Sequence, residues 1–368
     1  MRLLEHQGKD LFSRYGIPVP RSKVAADPDE AVSAVRELGL PAVLKAQVLS
    51  GGRGKAGGVS VVRTVDQAQS EARRILSLKI GGEPVRGLLV EEALDHSEEM
   101  YVSVSLDRGR REFVALASRT GGVEVESSAG GKMASTPVPL KGLDDAAASS
   151  LASTIGLEGG AASEFRAILL RLERLAREEE CELAEINPLA VHTDGSLVAL
   201  DSKVVLDDNA LFRHPEFSRL SPEDPLEGEA AALGFALVRL DGDVAVLGNG
   251  AGLVLSTLDL VVDAGGRPAC FLDLGGGAQR ERAEAALRLV RKLPTRAVLV
   301  NIFGGITETT DIAEGIKDVL AEGGLPPLFV RMRGAQEEAA RSILKAAGVS
   351  VFVDSWDAVV AAVKGRRP

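Results

Sequence analysis

The sequence predicts two domains of different class: an α+β domain followed by an α/β domain with a doubly wound parallel sheet. From Asp243 onward, strands and helices alternate strictly, which is typical of a parallel sheet covered by helices on both faces. Before that point, hairpin-like strand pairs are mixed with helices and show no such alternation. An acidic connector containing the stretch SPEDPLEGEA lies within residues 207–235. We therefore expect the domains to cover residues 1–225 and 236–368.

Length and composition indicate a globular protein and argue against two classes of ligand. The 368 residues are enough for two or three domains, and 45% of them are hydrophobic. The formal net charge of -10 argues against a general nucleic-acid or membrane-surface binder. Cys181 and Cys270 each lie in an apolar run, so we expect buried free thiols in a reducing compartment. The charged start of the chain and the lack of a long apolar run predict a cytoplasmic protein.

The first domain is predicted to contain helices and strands in irregular order. Helices are expected between glycine and proline signals, at 5–15, 28–38, 64–76 and 146–179. Strands are expected in short apolar or alternating runs, at 40–44, 59–62, 85–92, 99–106 and 112–118. Residues 119–145, rich in Gly, Ser and Pro, are predicted to be the least ordered part of this half.

A glycine-rich loop between two predicted strands is the strongest candidate for a binding site. The stretch Lys45–Gly58 reads KAQVLSGGRGKAGG. Glycines let backbone N–H groups approach a ligand closely, and Arg53 and Lys55 add positive charge, so the loop suits phosphate oxygens. It is not a Walker A loop, because no Ser or Thr follows the Gly54-Lys55 pair and a strand follows instead of a helix. The alternative is a flexible surface hairpin with two solvated cations.

A second candidate is the predicted hairpin at residues 181–206, whose register is open between two possibilities. A two-residue turn would pair Asn187 with Ser202. A three-residue loop, Thr193–Gly195 with its glycine left-handed, would pair Asn187 with Asp201 instead. The second register places oxygen ligands side by side, and such ligands suit Mg²⁺. The alternative is a solvated polar face of the hairpin.

The second domain is predicted to have five βα units. Its strands are expected at 244–248, 268–274, 297–303, 327–332 and 349–353. Glycine-rich loops follow the first three strands, at 248–252, 275–279 and 301–307. A glycine cluster before a helix can bind an anion, although a tight βα turn is the usual explanation for any single loop. The first loop is not the dinucleotide fingerprint, since its third glycine comes one residue early.

Taken together, these motifs resemble the β subunits of succinate–CoA ligase, also called succinyl-CoA synthetase. The resemblance runs over nearly the whole chain and rests on KAQVLSGGRGKAGGV, LVEEAL, EINPL, LDSK, GNGAGL and VLVNIFGGIT. It implies an N-terminal ATP-grasp domain followed by a flavodoxin-like CoA-ligase domain. The segment 126–143 departs from the family pattern, because it is shorter and richer in Gly and Ser.

The family resemblance implies roles for residues at matching positions. Nucleotide contacts are implied at Lys45, Gly52, Arg53, Gly54, Glu91, Leu94 and Glu99. Of the two glutamates, the first is expected near the base and the second near the ribose. One Mg²⁺ ion, bound together with ATP/ADP or GTP/GDP, is implied at Asn187 and Asp201. The carboxylate-substrate region is implied at Asn249, Gly305, Ile306 and Thr307.

The resemblance also implies a reversible reaction that needs a partner chain. Acyl-CoA, phosphate and nucleoside diphosphate are converted to free carboxylate, CoA and nucleoside triphosphate. A phosphohistidine that carries the phosphoryl group is expected in the α subunit, which also binds most of the CoA, in an αβ or α2β2 assembly. No catalytic residue is therefore expected in this chain. Consistent with this, none of its four histidines lies in a glycine loop of the second domain.

Three other functions are compatible with parts of this pattern. A ligase for malate or another short dicarboxylate would use the same motifs. An NAD-binding oxidoreductase is a weaker alternative, kept open by Asp273 at the end of the second strand of the second domain. A nucleotide sensor without catalytic activity would need the first domain but no partner.

Overall fold

The structure, a computed structural model, describes residues 1–122, 133–217, 224–277, 279–305 and 308–365. The chain forms two compact units, Met1–Leu220 and Ser221–Pro368. Each unit has its own hydrophobic cores. Among the helices in the described ranges, none combines the length and apolar character that crossing a membrane would need.

The first unit contains a small four-stranded sheet with the order β1-β6-β2-β3. Its antiparallel strands are β1 (Ser22–Ala25), β2 (Ala42–Ala46), β3 (Val59–Val62) and β6 (Leu88–Glu92). Helices α2 (Pro28–Leu38) and α3 (Val65–Leu76) pack against it. Asp27 caps α2 by accepting bonds from two backbone N–H groups, as the Asp-Pro sequence predicts. A short hairpin, β4 (Lys79–Ile80) and β5 (Glu83–Pro84), precedes β6.

The larger sheet of the first unit has the order β11-β10-β7-β8-β9, with β12 also paired to β10. Its strands are β7 (His96–Asp107), β8 (Glu112–Ser118), β9 (Ala134–Val138), β10 (Cys181–His192), β11 (Leu197–Ala199) and β12 (Lys203–Leu206). Its helices are α1 (Glu5–Arg14), α4 (Asp145–Thr154) and α5 (Gly159–Glu178). Phe12 and Phe165 are fully buried in the core between these helices and the sheet. A 3₁₀ helix, Asp208–Arg213, follows the last strand.

The structure decides between the two hairpin registers in favour of the three-residue loop. Glu185 pairs with Lys203, and Leu189 pairs with Ala199. Gly195 is left-handed with φ +87°, as that loop requires. The return strand is interrupted between β11 and β12, so Asp201 lies in a break of the ladder, opposite Asn187 in register.

The second unit has one six-stranded sheet with the order β13-β15-β14-β16-β17-β18. Its strands are β13 (Ala236–Arg239), β14 (Val244–Gly248), β15 (Pro268–Asp273), β16 (Ala297–Gly304), β17 (Leu328–Gly334) and β18 (Ser350–Phe352). The last five are parallel and follow the 2-1-3-4-5 order of flavodoxin-like sheets, while β13 is an added antiparallel edge. The predicted doubly wound parallel sheet is confirmed.

Six helices of the described part of the second unit cover the two faces of this sheet. They are α6 (Pro225–Ala232), α7 (Ala251–Asp263), α8 (Arg280–Val290), α9 (Thr309–Glu322), α10 (Glu337–Ala346) and α11 (Ser355–Lys364). Helices α7 and α11 contribute to one core, and the other four contribute to the core on the opposite face.

The differences from the sequence prediction lie at short or edge elements. β1, β9 and β13 were not predicted, because each has only four or five residues and exposed polar positions. The helical region predicted at 146–179 consists of two helices, separated by a turn in which Gly156 has φ +77°. Helix α6, part of the predicted connector, packs its Ala230 into the core of the second unit. The domain limits 1–225 and 236–368 stay a prediction.

Candidate functional site

A cavity of 560 Å³ in the first unit is lined by residues from both of its sheets. All nine residues predicted to bind nucleotide or metal line it: Lys45, Gly52, Arg53, Gly54, Glu91, Leu94, Glu99, Asn187 and Asp201. The first and last of these residues, Lys45 and Asp201, are more than 150 positions apart in the sequence. The packing of the two sheets therefore brings the glycine loop and the hairpin to one site.

The glycine loop presents an open backbone surface to this cavity. Gly52 adopts φ +77°, a conformation that favours glycine. Apart from the adjoining residues, no atom of the described part of the chain lies within 4 Å of the position that a Cβ would take at Gly52 or at Gly54. At Gly58, by contrast, a Cβ would lie 2.8 Å from the side chain of Ile80. The first two glycines thus leave room for a ligand, whereas Gly58 is required by packing.

Lys45 is held in the cavity wall by carboxylates and a carbonyl. Its Nζ lies 2.5 Å from Glu91 Oε2 and 3.1 Å from Glu5 Oε1. It also donates a 2.6 Å hydrogen bond to the carbonyl of Leu200. Burial by itself would lower the pKa of Lys45, but Glu5 and Glu91 raise it above its ordinary value. Lys45 is therefore held as a cation in the cavity wall.

A second buried lysine, Lys9, shares the carboxylates of Glu5 and Glu91 with Lys45 and was not singled out from the sequence. Lys9 Nζ lies 3.0 Å from Glu5 Oε1 and 2.5 Å from Glu91 Oε1, and all three side chains are only 2% exposed. The nearest contacts of the Glu91 carboxylate are thus the two lysine ammonium groups. Burial would raise the pKa of Glu5, yet the charges of Lys45, Lys9 and Arg53 hold it well below its ordinary range.

Arg53 joins the glycine loop to the hairpin. Its Nη1 lies 2.6 Å from Glu5 Oε2, and its Nη2 lies 2.8 Å from Asp201 Oδ2. It also donates a 3.2 Å bond to the carbonyl of Ala46. The Arg53 side chain is 12% exposed, whereas that of Asp201 is 35% exposed. The guanidinium therefore contacts one buried carboxylate and one partly exposed carboxylate.

Asn187 and Asp201 supply oxygen atoms of the kind that Mg²⁺ prefers. Asp201 Oδ1 accepts a 2.7 Å bond from the Ser202 amide, and its Oδ2 accepts from Arg53. Asn187 Oδ1 accepts a 2.6 Å bond from the Gly122 amide. One carboxylate and one amide oxygen from opposite positions of a hairpin fit an ion that keeps several waters and shares phosphate oxygens.

Leu94 and Glu99 lie together at the rim of the cavity through His96. The His96 Nδ1 lies 3.1 Å from the carbonyl oxygen of Leu94, and its Nε2 lies 3.0 Å from Glu99 Oε1. This links the backbone of the segment after β6 to a carboxylate on β7. The rim therefore offers a carbonyl and a carboxylate that can accept hydrogen bonds from a ligand.

The four histidines are all in the first unit and each has a polar neighbour there. The pairs are His6–Gln47, His96–Glu99, His192–Asp194 and His214–Glu180. Only His96 among them lines the 560 Å³ cavity. In the described ranges, one further group of side chains could hold a metal ion, because its ligand atoms lie within 4.8 Å of each other. The group is Glu179, His214 and Glu216. No member of that group lines the cavity either.

In the second unit, the loops at the carboxyl ends of β14, β15 and β16 are tied to each other. Asn249 Nδ2 donates to the Phe303 carbonyl, and Asn249 Oδ1 accepts from the Phe303 amide, both at 2.9 Å. Asp273 Oδ1 accepts bonds of 2.6 Å and 2.8 Å from the amides of Gly250 and Gly275. Asp273 thus holds two glycine loops, a role unlike that of a ribose-binding acid.

One of the four predicted carboxylate-substrate residues, Asn249, takes part in these contacts. The amide of Asn249 bonds to the neighbouring strand, so the structure supports a loop-positioning role for it. Gly305 follows β16 at the same edge of the sheet. Ile306 and Thr307 lie outside the described residues.

Two parts of the chain match known protein families. Residues 2–191 match the ATP-grasp domain family, and residues 247–364 match the CoA-ligase family. The protein is thus an ATP-grasp domain joined to a CoA-ligase domain, as the first and second units suggest. Over its length the chain is 44% identical to the β subunit of an ADP-forming succinate–CoA ligase from Ignicoccus hospitalis, with 99% of both chains covered.

A GDP-forming β subunit from Thermus thermophilus is 43% identical, with 99% of this chain and 100% of the relative covered. The chain belongs to the family of succinate–CoA ligase β subunits. The resemblance inferred from the motifs and the predicted fold class are confirmed. A solved structure of ATP citrate lyase from Methanothrix soehngenii, in complex with citrate and coenzyme A, has the same fold, with a TM-score of 0.75, 20% identity and 99% of each chain covered.

Proposed function

We propose that this chain is the nucleotide-binding subunit of a succinate–CoA ligase that forms ATP or GTP. The observation that carries the proposal is the convergence of Lys45, Arg53, the open glycine loop and two oxygen ligands on one cavity. Cations and free backbone N–H groups beside oxygen ligands are what a metal-bound nucleoside phosphate requires. Membership of the family adds succinate as the acid and an α subunit as the partner.

The net reaction converts succinyl-CoA, phosphate and nucleoside diphosphate into succinate, CoA and nucleoside triphosphate. The oxygen that ends on succinate comes from phosphate, and the phosphoryl group ends on the diphosphate. We place the phosphohistidine that carries this group on the partner. In this chain, Lys45 and Arg53 would bind the phosphates and neutralise charge during in-line transfer. Asn187 and Asp201 would hold Mg²⁺, which would supply positive charge to the nucleotide phosphates.

The remaining predicted residues take supporting roles in this proposal. Gly52 and Gly54 would let the phosphates approach the backbone, and Glu91, which the family resemblance implied near the base, would instead keep Lys45 charged and in place. Leu94 and Glu99 would bind the nucleoside end at the rim. In the second unit, Asn249 would hold the loop that forms the carboxylate site together with Gly305, Ile306 and Thr307. The N-terminus of α8 would face the anionic phosphohistidine.

Phosphoryl labelling of the native complex tests this proposal. The complex is purified from its source through a tag on this chain and incubated with Mg²⁺ and γ-labelled ATP or GTP. We expect acid-labile, base-stable label on a co-purifying partner, and discharge of that label by succinate plus CoA. Discharge only by malate plus CoA would assign a different dicarboxylate. No labelled partner would refute the function.

A matched pair of lysine variants connects the label to the cavity. Lys45→Ala removes the cation in the cavity wall, whereas Lys23→Ala removes an exposed lysine of the same sheet that pairs with Glu37. Labelling should fall at least tenfold in the first variant and stay at the wild-type level in the second. Equal labelling in both variants would show that phosphate is not bound where we propose.

A further inference from the structure

The partners of Arg53 differ in their freedom to move. Glu5 is held on α1 with its carboxylate 2% exposed, and its other oxygen contacts Lys9 and Lys45. Asp201 lies in the break between β11 and β12, and its side chain is 35% exposed. Arg53 thus has one fixed carboxylate and one that can turn away.

Six charged side chains beside the glycine loop offset one another before any ligand binds. The cations are Lys9, Lys45 and Arg53, and the carboxylates that pair with them are Glu5, Glu91 and Asp201. A polyphosphate brings additional negative charge into this low-dielectric cluster. A carboxylate that moves away from its cation therefore strengthens the attraction of that cation for the phosphates.

The pair formed by Arg53 and Asp201 also lies where two cavities meet. Both residues line the 560 Å³ cavity and a second cavity of 150 Å³, and Gly52 and Asn187 are shared as well. Asp201 therefore borders open space in both cavities. If the side chain turns toward Asn187, Arg53 Nη2 is left without a carboxylate but stays in place through Glu5.

We propose that Asp201 blocks Arg53 in the ligand-free protein, and that a divalent cation releases the arginine by taking this carboxylate. Glu5 is then the positioning residue that keeps the released guanidinium at the phosphate end of the cavity. The inference rests on the proposed function and deepens it. Asp201 would thus both hold the metal and control whether Arg53 is available to the phosphates.

The test measures binding of inorganic pyrophosphate by calorimetry, first in EDTA and then with Mg²⁺, to the tagged chain purified with its partner. Asp201→Asn keeps the bond from the Ser202 amide but removes the negative charge that pairs with Arg53. We expect pyrophosphate in EDTA to bind about tenfold tighter than to wild type, which corresponds to about 1.4 kcal/mol. The gain in affinity on adding Mg²⁺ should be lost in this variant.

A double-mutant cycle separates release of Arg53 from the general loss of a negative charge. In an Arg53→Met background, Asp201→Asn should change metal-free pyrophosphate affinity less than about twofold, because there is no guanidinium to release. Asp194→Asn, at the tip of the same hairpin, is the control and should leave binding unchanged. Asp201→Ser is the second variant if the asparagine protein does not fold.

Two results would overturn the proposal. One is unchanged metal-free affinity in the folded Asp201 variants, and the other is an equal gain in the presence and absence of Arg53. Failure of the proposed function has a different signature, since wild-type protein would then not bind pyrophosphate even with Mg²⁺.

Discussion

Replacing Lys9 by methionine tests whether the buried ion-pair cluster holds the first unit together. Lys9 has its Nζ between Glu5 and Glu91, and it also donates a 2.7 Å bond to the carbonyl of Leu200. Methionine fills a similar volume but leaves two buried carboxylates with one cation fewer. Removing one partner of a buried pair typically costs about 3–5 kcal/mol.

For a unit of this size, about 1 kcal/mol corresponds to about 2–4 °C in melting temperature. Lys9→Met should therefore lower the melting temperature of the first unit by roughly 6–20 °C. The control is Lys23→Met, because Lys23 also pairs with a glutamate but both side chains are exposed. That change should shift the melting temperature by no more than a few degrees, as exposed pairs contribute little.

Differential scanning calorimetry of the two variants and the wild type gives the answer. The same substitution should also affect Lys45. Once Lys9 is lost, Glu5 and Glu91 attract the ammonium group of Lys45 more strongly. Nucleotide affinity of the folded Lys9→Met protein should fall for that reason. Equal melting temperatures of the Lys9 and Lys23 variants would refute the view that this cluster stabilises the fold.

Three further predictions concern thiols and glycines. Burial raises the pKa of Cys181 to about 12 and that of Cys270 to about 11, so a thiol reagent at pH 8 should modify neither in the native protein and both after denaturation. Gly334→Ala should destabilise the second unit in urea titrations far more than Gly348→Ala. Both glycines have positive φ, but only at Gly334 would a Cβ lie 2.1 Å from a carbonyl oxygen of β16. Gly54→Ala should leave the melting temperature unchanged and weaken pyrophosphate binding several-fold, since its Cβ meets no protein atom and enters the cavity; unchanged binding would place the phosphates elsewhere.

Local sequence patterns were sufficient for most of the second unit. Parallel strands buried on both faces appear as short apolar runs, and the intervening helices carry their own capping and stop residues. The flanking edge strand β13 was missed because it has four residues and only Leu237 is buried. The glycine loops were visible for the same local reason, since positive φ and open backbone restrict the residue type to glycine.

In the first unit, the burial of the Glu5–Lys9 pair could not be predicted from local sequence. Glu5 and Lys9 are four residues apart on a helix and, in sequence, look like an ordinary exposed ion pair. Nothing in the local pattern distinguishes that pair from a buried one. The packing of α1 against the glycine loop and the hairpin turns these side chains inward, beneath Lys45 and Arg53.

The sequence by itself determined most of the succession of elements, the position of the glycine loop, and the family. It left open the hairpin register, because two-residue and three-residue turns are both common in hairpins. Tertiary structure decided that register through pairing with β11 and β12, and thereby placed Asp201 opposite Asn187. It also decided which charges meet, since contacts between residues far apart in sequence depend on how whole elements pack and on the low dielectric of the space they enclose.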